Sequence, residues 1–154
     1  MNIELPAREP VVAGEFYPSD PQELKTTIDG YFKNITKLLS VQGELLGIIS
    51  PHAGYIFSGQ VAAYSYKFLS QYKYNNPIII LIGQSHNYYL SKPSVWTKES
   101  FRTPFGEVKI EKEFAKLLVK NPTLFEDSLQ PHIPEHSLEV QLPFLQFIYG
   151  DKFT

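Results

Sequence analysis

Cysteine is absent from all 154 residues, so neither a disulfide framework nor thiolate metal ligation is available within this chain. Any metal would have to be held by His, Asp or Glu. An excess of one charge is missing as well: 14 Lys and Arg stand against 16 Asp and Glu, a formal net charge of -2. Without a basic surplus there is no electrostatic footprint for nucleic acid or an anionic membrane, and neither is expected as a partner. The longest aliphatic run, Ile78 to Ile82, is far too short to span a membrane. Met1 to Pro10 mixes Glu4, Arg8 and Glu9 with prolines and lacks the apolar core of a signal peptide. Together these absences predict a soluble cytoplasmic protein. No internal repeat or low-complexity tract is visible.

What is present suits one packed unit. Hydrophobic residues make up 43% of the chain and aromatics 14%, enough for one sizeable core, and residues 1–154 read as a single domain. Its organising stretch runs from Leu45 to His86. Two short apolar runs, Leu45-Leu46-Gly47-Ile48-Ile49 and Ile78-Ile79-Ile80-Leu81-Ile82, are rich in β-branched residues, closed by Gly, Ser or Pro, and each followed by a histidine. This pattern predicts two buried strands. Between them, Ser58 to Tyr72 carries Val61, Phe68, Leu69 and Tyr72 at helical spacing, with Ser65 as a polar break and Ser58 as the cap. A strand, helix, strand unit crosses over right-handedly and leaves its strands parallel. His52 and His86 then emerge at the same sheet edge, where ligands of open α/β sheets collect.

Elsewhere, Arg8 to Pro18 reads as a loop whose aromatics pack back on the domain. Asp20-Pro21-Gln22-Glu23 is a helix start, with an Asp cap, Pro at the first position and Glu completing a capping box. Leu24, Ile28, Tyr31, Phe32, Ile35, Leu38 and Leu39 continue that helix. Short strands are expected at Ser94 to Thr97 and at Phe105 to Ile110, antiparallel about a turn at Thr103-Pro104. Glu111 to Lys120 is an amphipathic helix with Phe114, Leu117 and Leu118 inward, closed by Asn121-Pro122. Phe125 to Glu135 is loop. Pro143 makes the following helix kinked or late-starting, and Lys152-Phe153-Thr154 looks like the start of a strand. The fold class is therefore α/β: a central, mostly parallel or mixed sheet flanked by helices on both faces.

Two histidines at matching strand ends are a candidate metal pair, because residues that merely pack have no reason to share equivalent edge positions. Non-haem Fe(II) sites add a carboxylate to two histidines. Glu135 is the nearest carboxylate in a motif, and equally fits a solvated loop charge. His136 fits a ligand, a general acid or base, or a helix-start residue bonded to backbone. Tyr55 and Ser85 could hydrogen-bond a substrate or serve only packing and the turn. No Walker loop, dinucleotide fingerprint, His-Glu-x-x-His or nucleophile elbow is found.

Five motifs occur in order: Ala13-Gly14-Glu15-Phe16-Tyr17, Pro51-His52-Ala53-Gly54-Tyr55, Gly83-Gln84-Ser85-His86, Phe101-Arg102-Thr103-Pro104-Phe105-Gly106 and Glu135-His136-Ser137-Leu138-Glu139-Val140-Gln141-Leu142-Pro143. In these the chain resembles the Memo family, also described as AmmeMemoRadiSam system protein B. That family is similar to class III extradiol ring-cleaving dioxygenases. The resemblance implies His52 and His86 as ligands of Fe(II) or another divalent metal, and His136 as an acid/base or substrate-binding histidine. It implies a metal-dependent oxidoreductase, or else a protein that binds metal or a (phospho)peptide in the same cleft without turnover. Family members run to roughly twice this length. The half not matched would carry further strands, a Ser-Asp-x-x-His segment and a third metal ligand, often cysteine. The α/β sheet is therefore expected to be incomplete, and a second polypeptide supplying the remainder is an expected partner. Others are a small-molecule or peptide ligand and, by resemblance alone, radical SAM and AMMECR-type proteins.

Overall fold

The computed structural model describes residues 7–154. Of the charged N-terminal stretch read above, the part before Ala7 lies outside the described residues. The chain is α/β, with a small mixed sheet and four α-helices among the described residues. In chain order these are β1 (Ala7–Arg8), α1 (Pro21–Asn34), α2 (Tyr55–Leu69), β2 (Ser100–Thr103), β3 (Gly106–Lys109), α3 (Lys112–Val119) and α4 (Leu142–Tyr149). No helix among these residues is long and apolar enough to cross a membrane.

Helix α1 starts where its cap predicts. Asp20 Oδ1 accepts the Glu23 N–H at 2.8 Å, Pro21 opens the first turn, and Leu24 and Ile28 are wholly buried. It ends at Asn34, short of the expected Leu38 and Leu39. Lys67 Nζ on α2 donates to the Phe32 and Ile35 carbonyls at 2.8 Å each, so the last carbonyls are satisfied without another turn. Helix α2 begins earlier than its sequence suggests, because Gly54 and not Ser58 is its N-cap. The Tyr55 N–H donates to the Phe16 carbonyl, and the Ser58 hydroxyl reaches back to the Ala53 carbonyl. Its inward face is Tyr55, Gly59, Ala62, Ala63 and Tyr66, whereas Val61 is exposed. Close approach of α1 explains the phase: a Cβ on Gly59 would stand 2.6 Å from Tyr31 Cε2. Gly59 makes room for the Tyr31 ring of α1, while Tyr55 and Tyr66 on the same inward face reach Phe144.

The sheet runs β1-β2-β3. Arg8 belongs to a two-residue strand parallel to β2, where the sequence reads as loop. β3 falls within the strand expected at Phe105 to Ile110, but its antiparallel partner is β2 and not the expected Ser94 to Thr97, with Phe101 opposite Val108. Ser94 makes only an isolated bridge to Glu126 rather than a strand. In α3, Ala115 is buried and Phe114 and Leu118 half-buried, but Leu117 is exposed, contrary to its predicted inward position. A 3-10 turn at Glu139–Gln141 leads into α4, with Pro143 in the first turn, so the helix starts late as expected. Phe144 is the hub of the core: its ring stacks on Tyr66 at 4.8 Å and lies 4.9 Å from Tyr55.

The two apolar runs depart most from expectation, since neither joins the sheet as a strand. β-branched residues favour extended backbone but do not supply a partner. Near Ile78, the Ile79 N–H donates to the Thr154 carbonyl at 2.8 Å and the Thr154 N–H to the Pro77 carbonyl at 3.2 Å. That is the bonding pattern of a parallel ladder, made with the segment that the sequence marks as a beginning strand. The first run is held by side chains, with Ser65 Oγ donating to the Ile49 carbonyl at 2.9 Å. Leu46, Ile49 and Ile82 are more than nine-tenths exposed. A cavity of about 450 Å³ lies against the second run, lined among others by Ile79, Leu81, Trp96, Phe114, Leu142 and Phe153.

The N-terminal segment is fastened by Glu139, which has no exposed surface. Its carboxylate accepts from Arg8 Nη1 at 2.7 Å, from the Val11 and Val12 N–H groups, and from the Tyr17 hydroxyl at 2.6 Å. Burial and then this carboxylate push the Tyr17 hydroxyl up, so it stays protonated as a donor. The rest of the Arg8 fork donates to the carbonyls of His132 and Glu135. Arg8 and Glu139 thereby set the backbone that leads into His136.

Candidate metal centre

His52 follows the first apolar run just ahead of α2, His86 follows the second, and His136 lies in the segment entering the 3-10 turn. One ring nitrogen from each lies within 4.8 Å of the others, so the three histidines could hold a metal ion. His52 Nε2 and His86 Nε2 are 3.4 Å apart. The His86 and His136 rings stack at 4.5 Å, and Phe16 abuts His136 edge-on at 4.8 Å. His52 and His136 are half-buried and His86 exposed, which puts the cluster at the surface.

Glu135 sits behind the cluster rather than in it. Its Oε2 accepts the His86 N–H at 2.6 Å, and its Oε1 accepts His86 Nδ1–H, His136 N–H and Ser137 N–H, each at 2.8 Å. Burial raises the pKa of this carboxyl, but the His86 and Ser137 backbone N–H groups, the His86 ring and the His136 N–H outweigh it and hold the pKa at about 2. A carboxylate on Nδ1 fixes the imidazole tautomer and leaves the Nε2 lone pair facing outward, the usual support of a metal-binding histidine. Burial lowers the His136 pKa against the opposing pull of Glu135, a shift that favours the neutral ring. Two imidazole nitrogens on one metal at about 2.0–2.1 Å and a tetrahedral angle stand about 3.3–3.4 Å apart. The observed 3.4 Å between the His52 and His86 nitrogens fits that donor pair.

The other residues singled out in the sequence are placed differently. The Tyr55 hydroxyl is buried and donates to the Val140 carbonyl at 2.8 Å. Ser85 Oγ accepts the Tyr88 N–H at 3.2 Å within its own turn. His132 is outside the cluster, edge-on to Trp96 at 5.8 Å. Two residues were missed. Gln84 Nε2 lies 2.7 Å from His86 Nε2 and 3.2 Å from His52 Nε2, and Gly83 allows Ser137 Oγ to within 2.6 Å of where a Cβ would be. The available signal was the period of two, which sets Gln84 and His86 on one side of an extended segment.

Comparison with known proteins shows the family of the chain. The family model described as Memo-like protein matches residues 8–154. A MEMO1 family protein of Methanopyrus kandleri is 42% identical over 152 residues, covering 95% of this chain and 53% of the relative. MEMO1 family proteins of Saccharolobus islandicus and Saccharolobus solfataricus are 39% and 38% identical over 154 residues, each with 95% of this chain and 54% of the relative covered. The chain thus spans about half the length of the curated relatives it matches. With the match running from Arg8 through all three clustered histidines, this chain belongs to the Memo-like protein family.

Proposed function

We propose that this chain provides a histidine wall of a non-haem divalent-metal site, with iron the metal favoured by the family resemblance. The observation that carries this reading is the 3.4 Å spacing of two Nε2 atoms, with the ring of one held from behind by a carboxylate. His52 and His86 bind the metal. Glu135 orients His86, and neutral His136 accepts a proton from a substrate group bound beside the metal. The metal supplies Lewis acidity and, as iron, a one-electron couple for oxygen chemistry. Catechol-type substrates are an analogy from family and fold, since function resides in sites rather than folds. The test is anaerobic Fe(II) loading with elemental analysis of the parent and a His52→Ala, His86→Ala double variant. Near-stoichiometric metal lost in the variant supports the site, and equal metal in both refutes it.

The exposed flank of the two apolar runs supports a further part of this reading. A polypeptide equivalent to the remaining length of the relatives covers Ile49 and Ile82, which lie three and four residues before His52 and His86. It brings the next ligand to the metal. Adding the remaining half of the Methanopyrus kandleri relative should give a one-to-one complex in light scattering. Self-association of this chain to the exclusion of that half would refute it.

A second reading is favoured by the donor set, which is three nitrogens with the nearby carboxylate already engaged. In it the cleft retains metal or a (phospho)peptide without turnover. Oxygen uptake by the iron-loaded protein with catechol separates the two.

A further inference from the structure

The most specific feature of the cluster is what lies between its nitrogens. His86 Nδ1 donates to Glu135, so His86 Nε2 carries a lone pair and accepts from whatever lies against it. Its neighbour at 2.7 Å is the Gln84 amide nitrogen, which also stands 3.2 Å from His52 Nε2. One amide nitrogen carries two hydrogens, one for each imidazole. The two imidazole nitrogens are 3.4 Å apart, and the amide nitrogen sits within hydrogen-bond distance of both, where its N–H groups point to the place a cation would take.

We propose that Gln84 is a switchable third donor beside His52 and His86: its N–H groups hold the two imidazoles together without a cation, and its side-chain carbonyl oxygen ligates a bound one. This rests on the metal reading above. Donor atoms each about 2.0–2.1 Å from one metal are about 2.9 Å apart at right angles and about 3.3–3.4 Å apart at the tetrahedral angle. The distances from the Gln84 terminal atom, 3.2 Å to His52 Nε2 and 2.7 Å to His86 Nε2, correspond to a site distorted from the tetrahedral angle set by the histidine pair. A half-turn about the terminal bond replaces nitrogen with oxygen at nearly the same point. The backbone need not move: Ser137 Oγ donates to the Gln84 carbonyl at 2.8 Å, and Gly83 lets that serine come close. Such an oxygen adds hard character to a nitrogen set, which suits divalent iron, manganese or cobalt over Cu(I).

The probe is Co(II), titrated anaerobically into the full chain against a competing chelator, with its visible d–d bands as a second readout. Gln84 is exposed, so its variants should fold, which circular dichroism checks. Gln84→Leu should weaken Co(II) binding by about tenfold. Gln84→Glu should tighten it by at least about tenfold and shift the d–d bands, because an anionic oxygen replaces a neutral one. A Gln84→Leu affinity equal to or above the parent's overturns the inference while leaving the histidine site intact, provided His52→Ala abolishes binding. No Co(II) binding by the parent overturns both.

Discussion

Replacing Glu135 by Gln should destabilise the chain by about 3 kcal/mol at pH 7 and flatten its acid response. The carboxylate is buried and accepts four hydrogen bonds from two loops. Gln matches its size, but its amide would turn an N–H towards the His86 N–H, and the charge is lost. The magnitude follows from linkage. The pKa falls from the ordinary 4.5 to about 2 on folding, and one pKa unit corresponds to about 1.4 kcal/mol. A depressed folded pKa contributes stability that is complete above the unfolded value, about pH 4.5, and is lost as pH falls towards 2. At pH 3 about 2 kcal/mol of the parent's advantage is gone, so the gap to the variant shrinks to about 1 kcal/mol. Urea unfolding followed by Trp96 fluorescence at pH 7 and pH 3 measures both gaps. At pH 7 the midpoint should move by roughly 1–2 M. A gap below 1 kcal/mol at pH 7, or one independent of pH, would refute the reasoning.

Glu139→Ala should cost about 3–5 kcal/mol because it strands the Arg8 guanidinium in the interior, and thermal unfolding monitors the loss. Gly83→Ala should cost about 1–3 kcal/mol, since its Cβ would come within 2.6 Å of Ser137 Oγ and 2.8 Å of Leu138 Cδ2. The same change should weaken Co(II) binding, because Ser137 holds both Gln84 and Glu135; an unchanged affinity in the chelator competition would contradict this. Phe144→Ala should cost about 3–5 kcal/mol in urea unfolding by removing the ring on which Tyr55 and Tyr66 pack.

Local chemistry was the legible part of the fold. The Asp20-Pro21 cap, the strand β3 and the late start forced by Pro143 each depend on residues within a turn of one another. Decisions taken over longer distances were not legible. The inward face of α2 is chosen by the Tyr31 ring against Gly59, and the end of α1 by Lys67, neither of which leaves a periodic trace. The sequence expectation that two apolar runs pair as strands failed because composition specifies extended backbone without naming a neighbour. At the site, two apolar runs each followed by a histidine foreshadowed the approach of His52 and His86, although neither run forms the strand on which that expectation was built. The four bonds to Glu135 were hidden, since a buried brace and a solvated loop charge look alike in sequence.

The bonds from Arg8 to residues 132–139 also determine the order of assembly. Arg8 and Glu139 are 131 positions apart, and Glu135 reaches His86 across 49. Contacts of such separation form late, because the intervening loop must first be closed. During synthesis from the N-terminus, α1, α2 and both earlier histidines leave the ribosome before the brace that orients His86 exists. Metal competence is therefore expected to lag behind helix formation, emerging only when residues 132–139 have docked on a segment made first.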